Sequence, residues 1–187
     1  MSIIELLPEL WLLGVICALF VASLSDRKQS VMSWLPLAAG LGVVAAAAAL
    51  GARGEFLYAT YKVDALSQFF KLLIAFGFAV VTGIASGNKD GKDLTPDYFM
   101  LLGLSAWGLM LLASCVELIT LYLALELSSY SLYALIPLRG QDRRAAEAGI
   151  KYILFGAAVT ALALVGLSYI IAAKHTTYTA APPTRAP

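Results

Sequence analysis

The feature that most constrains this chain is a repeating length. Apolar runs of roughly 18–28 residues recur along it, separated by short polar breaks. A helix rising about 1.5 Å per residue needs roughly 20 apolar residues to cross the hydrocarbon core of a bilayer. Lipid offers no partner to backbone N–H and C=O groups, so runs of this length must satisfy them internally, as helices. Segments of strict apolar/polar alternation, the mark of a membrane barrel, do not occur. The surplus of apolar residues also exceeds one soluble core: 60% of the 187 residues are hydrophobic and 13% charged, against about 25% charged in a soluble domain.

The runs predict an all-α, polytopic membrane helix bundle of six spans. They cover about Leu6–Leu24, Trp34–Gly51, Ala65–Ser86, Tyr98–Ala113, Leu118–Leu138 and Ala145–Ala172. The fourth and fifth are joined only by Ser114, Cys115, Val116 and Glu117, which makes them antiparallel neighbours. Asp97 is a candidate N-cap for the fourth helix. Pro137 should loosen the last turn of the fifth. Residues 1–173 form the bundle on this reading. Residues 174–187, with three prolines and no apolar period, form a disordered polar tail.

Charge sets orientation. Arg27, Lys28, Lys89, Lys92, Arg139, Arg143 and Arg144 follow the odd-numbered spans, and Arg53, Lys62, Lys174 and Arg185 lie on the other side. Basic loops stay inside, which places both termini on the outer, periplasmic face of a cell inner membrane. The first run has no basic flank before it, and Glu5 and Glu9 stand there instead. It therefore reads as a retained helix and not a signal peptide. The net charge of +1 gives no footprint for nucleic acid. Cys17 and Cys115 read as small buried hydrophobes, and His175 as a solvated residue of the tail. No phosphate-binding glycine loop, zinc motif or Ser-His-Asp pattern is present.

Charged groups within the spans carry the functional information, because each costs roughly 2.5–3.5 kcal/mol to insert at mid-membrane. Glu126 lies near the middle of span five, among Leu123, Ala124, Leu125 and Leu127. Apolar surroundings disfavour the ionised carboxylate, so such a group can take up and release protons. The alternative is a neutral acid that hydrogen-bonds two helices together. Ser129 and Tyr130 stand three and four residues on, one helical turn away, where their hydroxyls could support the carboxyl. Small serines equally let helices approach. Lys151 lies inside span six with Glu147 four residues before it, a spacing that suits a surface pair. Snorkelling to the interface and a functional role are both open for Lys151. Glu9 and Glu117 read as interfacial, and Lys71 as a snorkelling anchor. Gly149, Gly156 and Gly166 mark helix packing on span six.

Two segments carry a family resemblance. Leu-Ala-Leu-Glu-Leu-Ser-Ser-Tyr-Ser-Leu-Tyr-Ala-Leu at 123–135 is followed by Arg-Arg-Ala-Ala-Glu-Ala-Gly-Ile-Lys-Tyr-Ile-Leu-Phe-Gly-Ala-Ala at 143–158. Together they resemble subunit N of the proton-pumping NADH:quinone oxidoreductase, respiratory complex I. Val63-Asp64-Ala65-Leu66-Ser67-Gln68-Phe69-Phe70-Lys71 and Asp97-Tyr98-Phe99 fit the same subunit. The resemblance runs over about residues 1–170.

It implies a proton-translocating membrane subunit in which Glu126 and Lys151 form a relay driven by electron transfer elsewhere. NADH, FMN, iron–sulfur clusters and quinone would belong to other subunits, with no cofactor or metal in this chain. Partners would be the lipid bilayer and other membrane subunits of the complex. The family continues into further helices, including a broken one with a central lysine, which this sequence does not reach. A separate chain could supply them. The alternatives are a truncated, non-catalytic membrane fragment or assembly piece, and a cation/proton antiporter relative sharing the glutamate motif.

Overall fold

The computed structural model describes residues 3–24, 28–56, 60–87, 95–138 and 143–179. Six α-helices occur among them: α1 Leu7–Leu24, α2 Lys28–Ala48, α3 Ala65–Gly87, α4 Pro96–Leu112, α5 Leu118–Leu138 and α6 Arg143–Lys174. A short 3-10 turn, Ile3–Leu6, leads into α1. Each helix falls on one predicted span. Four are long and apolar enough to cross a membrane, and the other two, within α2 and at α4, are shorter apolar helices.

Close packing follows small residues, as expected where lipid removes the hydrophobic drive between helices. At Gly108 of α4 an added Cβ would lie 2.7 Å from Ser128 N and 3.0 Å from Ala124 O of α5. The two backbones therefore touch, and the hydroxyls of Ser105 and Ser128 meet there at 2.9 Å. On the other side α5 receives α6. Gly149 lies against the Pro137 ring, and Gly156 leaves the space taken by the Tyr133 hydroxyl. Gly166 faces open space, so two of the three expected packing glycines pack. The α1–α4 helices share a core in which Leu19, Val31, Leu35 and Phe99 are buried.

Two sequence expectations are corrected here. Thr95 is the N-cap residue of α4, with Pro96 opening the helix. Asp97 instead accepts a hydrogen bond from the Ser23 hydroxyl, tying the end of α1 to the start of α4. α5 carries Pro137 inside its last turn and runs to Leu138, the end of its predicted span. Cys17 is exposed on the bundle surface and Cys115 half-buried, so neither is a core residue.

A hairpin absent from the helical reading covers one end of the bundle. Strands β1 Gly54–Phe56 and β2 Tyr61–Val63 pair antiparallel, with Phe56 opposite Tyr61. The hairpin is pinned to the α4–α5 connection by Lys62 N–H to Ser114 O (2.8 Å) and Val116 N–H to Thr60 O (3.0 Å). The segment after α6 joins the same end. His175 takes a left-handed φ of 51° that terminates the helix. Leu118 N–H then donates to Thr177 O, and Thr179 N–H to Val116 O. Residues 175–179 are therefore held in backbone bonds. The rest of the predicted tail, 180–187, lies outside the described residues, as do Arg27, Lys89, Lys92 and Arg139.

Candidate functional site

Two buried carboxylates stand between helices, one at mid-bundle and one near the hairpin end. The first is Glu126, 5% exposed. It lies about 200° around α5 from Ser128, on the side that meets α6, while Ala124 and Ser128 face α4. Thr160 of α6 donates to Glu126 Oε1 at 2.9 Å. Oε2 is buried with no hydrogen-bond partner among the described residues.

The other predicted residues distribute around it unevenly. Lys151 is exposed on α6 and pairs with Glu147 at 2.6 Å, both side chains more than 60% exposed. It lies nine residues before Thr160, roughly 13 Å along the helix. The structure thus brings Thr160, and not Lys151, to Glu126. Tyr130 is exposed. It begins an edge-to-face aromatic series from Tyr130 to Tyr133 and Tyr133 to Tyr152, which links α5 to α6. Ser129 is half-buried, while Ser128 and Ser131 are the buried serines.

The second carboxylate is Glu9 on α1, 4% exposed. Lys71 on α3 lies 2.5 Å from Glu9 Oε1 and is fully buried. This overturns the reading of Glu9 as interfacial and of Lys71 as a snorkelling anchor. The lysine points inward because a carboxylate waits there, and an ion pair is the arrangement in which a buried charge is tolerable. The Tyr61 hydroxyl donates to Glu9 Oε1, and the Tyr61 ring faces Lys71 Nζ at 5.2 Å. Burial first, and the Glu9 carboxylate second, hold the Tyr61 phenol well above its ordinary pKa, so it remains a donor. The sequence did carry a signal for this pair. Glu9 and Lys71 have opposite sign, and each stands within the first two turns of an odd-numbered helix, hence at similar depth from one end.

Fold and sites together define a multi-span helical membrane protein that holds ionisable groups between its helices. Residues 115–181, which contain Glu126, Glu147, Lys151 and Thr160, match the family described as NADH:quinone oxidoreductase/Mrp antiporter, TM. The chain is 89% identical over 95% of its length to NADH-quinone oxidoreductase subunit N 2 of Solidesulfovibrio magneticus, covering 38% of that protein. It is 33% identical over 94% of its length to F(420)H(2) dehydrogenase subunit N of Methanosarcina mazei, again covering 38%. A chain of respiratory complex I from Thermus thermophilus superposes with a TM-score of 0.78 at 28% identity, over 94% of this chain and 39% of that one. The chain is thus similar to subunit N of NADH-quinone oxidoreductase over most of its own length, and it spans under two-fifths of the length of these relatives.

Proposed function

We propose that this chain forms part of a proton-translocating membrane subunit, with Glu126 as the group that holds the proton at mid-membrane. The observation that carries this reading is the environment of Glu126. A buried carboxyl has Oε1 held by the Thr160 hydroxyl, the Tyr130 hydroxyl close by, and Oε2 without an aligned hydrogen-bond partner among the described residues. A carboxyl serving only as helix glue would have both oxygens matched. The free oxygen is where a proton or a bridging water would bind.

Lys151 enters as the charged group of the open face of α6. Its pair with Glu147 is lateral, along the helix, and the surrounding Ile150, Ile153, Leu154 and Phe155 are exposed apolar residues. A further helical segment laid on that face would cover them and bring Lys151 into a dry interface. The relay then runs between Glu126 and Lys151 only once that partner is present. Tyr130, on the exposed side of α5, lies at the same junction.

The electron donor is set elsewhere. Relatives of similar identity are named for NADH-quinone oxidoreductase and for F(420)H(2) dehydrogenase, which is what a subunit without redox groups of its own would allow. Other membrane subunits are the partners on this reading, and both chain ends face the outside. The test is Glu126→Gln in the assembled complex, reading proton uptake into vesicles beside electron transfer. The expected result is normal assembly with proton transport strongly reduced. Unchanged transport at normal assembly removes Glu126 from the pathway.

A further inference from the structure

Beside the end of the bundle that carries the hairpin is a cleft of about 660 Å³. Glu5, Glu55, Phe56 and Leu111 line it, and so does Tyr61. The same Tyr61 reaches the buried Glu9–Lys71 pair with its hydroxyl. One side chain thus stands between the cleft and an ion pair closed within the helices.

The polar atoms around that phenol are under-satisfied. Glu9 Oε2 and Gln68 Oε1 are buried without a hydrogen-bond partner among the described residues, while Ser114 Oγ meets the Tyr61 phenol and Lys71 Nζ has only its ion pair. The Lys71–Glu9 contact is close but not aligned as a hydrogen bond. Gln68 is one turn before Lys71 on the same face of α3, and Ser114 follows α4 where β2 is pinned. Each orphaned group costs about 1–3 kcal/mol, and native interiors satisfy such groups with internal water. A simple structural clasp would be sealed and matched. Glu9 Oε2 and Gln68 Oε1, buried and unpartnered beside the ion pair, describe a hydrated pocket.

We propose that Glu9, Lys71 and Tyr61 form a second proton-exchange site, fed by water from the hairpin-end cleft and separate from Glu126. Its substrate is the hydrated proton. A hydronium ion in the pocket gives its proton to the Glu9 carboxylate, leaving water and a neutral acid. Lys71 keeps its ammonium proton, so the pair passes from net zero to one positive charge. Tyr61 keeps its own proton throughout and acts as a hydrogen-bond gate. The titratable groups facing Glu9 are Lys71 on α3, Tyr61 on β2 and, beyond the phenol, Cys115 of the α4–α5 connection. Glu5 and Glu55 at the cleft mouth favour cations over anions there. The site does not depend on the role given to Glu126.

The test is infrared difference spectroscopy of the full chain in lipid vesicles, stepped between about pH 5 and about pH 9, well clear of extreme protonation states. The wild type should show a carboxylic acid band that shifts in heavy water. Glu9→Gln alone strands the Lys71 ammonium, so Glu9→Gln/Lys71→Met, which removes both charges, is the deciding variant. It should lack the band, while Glu126→Gln retains it. Tyr61→Phe should keep the amplitude but change the rate at which the band develops after a pH jump. Identical spectra for the wild type and the double variant would overturn the proposal and leave the pair as a structural clasp. A band that develops equally fast with Tyr61→Phe would overturn the gate.

Discussion

The Thr160 hydroxyl on α6 donates to Glu126 Oε1 on α5 at 2.9 Å. The mid-helix carboxylate is therefore held by a neutral donor, and among the described residues no ion pair reaches it. Glu9 is treated in the opposite way, with an ammonium and a phenol on a single oxygen.

Thr160→Val keeps the shape of the side chain and removes its only donor. Glu126 then keeps only the Tyr130 hydroxyl nearby. Loss of a hydrogen bond to a buried polar group costs about 1–3 kcal/mol, so the α5–α6 contact should weaken by about that amount. Thr160→Ser retains the hydroxyl and should stay near wild type. Thermal unfolding of the detergent-solubilised protein checks both. Equal midpoints for the valine and serine variants would show that the bond contributes nothing.

Gly108→Ala places a Cβ 2.7 Å from the backbone nitrogen of Ser128. Backbone cannot step aside as a flexible side chain does, so α4 and α5 must separate. Overpacking of this kind costs about 1–3 kcal/mol, and it should lengthen the Ser105–Ser128 bond at the same contact. Gly77→Ala on α3, where nothing lies within 4 Å, is the control. It should be neutral or stabilise by up to about 1 kcal/mol through helix propensity. Midpoints in a thermal series separate the two, and a loss at Gly77 equal to that at Gly108 would contradict the packing account.

The helices were legible in the sequence because span length is a covalent property of the run, and each helix falls on its predicted run. Glu126 was legible as a charge in the middle of such a run. What surrounds it was not. Thr160 is an ordinary helix residue until α6 is laid on α5, and the spacing of Glu147 and Lys151 gave only their lateral pair. The inward turn of Lys71 depends on Glu9, 62 positions earlier (71 − 9), so reading the two separately made each an interfacial residue. The hairpin was hidden for a related reason. Strands of three residues have too little alternation to show a period, and these are fixed by backbone bonds to the α4–α5 connection.

Cys115 gives a chemical probe of that knitted end. Burial, reinforced by the nearby Glu117 carboxylate and opposed by Lys71, pushes its thiol up to about 11. The thiolate is the reactive form, so at pH 8 the thiol should resist a water-soluble maleimide. Its rate should climb about tenfold per pH unit until the pH approaches the raised value. The sign is fixed by the direction of the shift. A thiol pushed upward is protonated where an ordinary one has begun to ionise, so alkalinity must speed labelling well beyond the usual plateau. Lys71→Met in the Glu9→Gln background removes the opposing positive charge and should move the labelling profile to still higher pH. Mass spectrometry of Cys115 after timed labelling reads this directly. A plateau already reached by about pH 9, the range of an unperturbed thiol, would mean that the hairpin and the α4–α5 connection do not shield this residue.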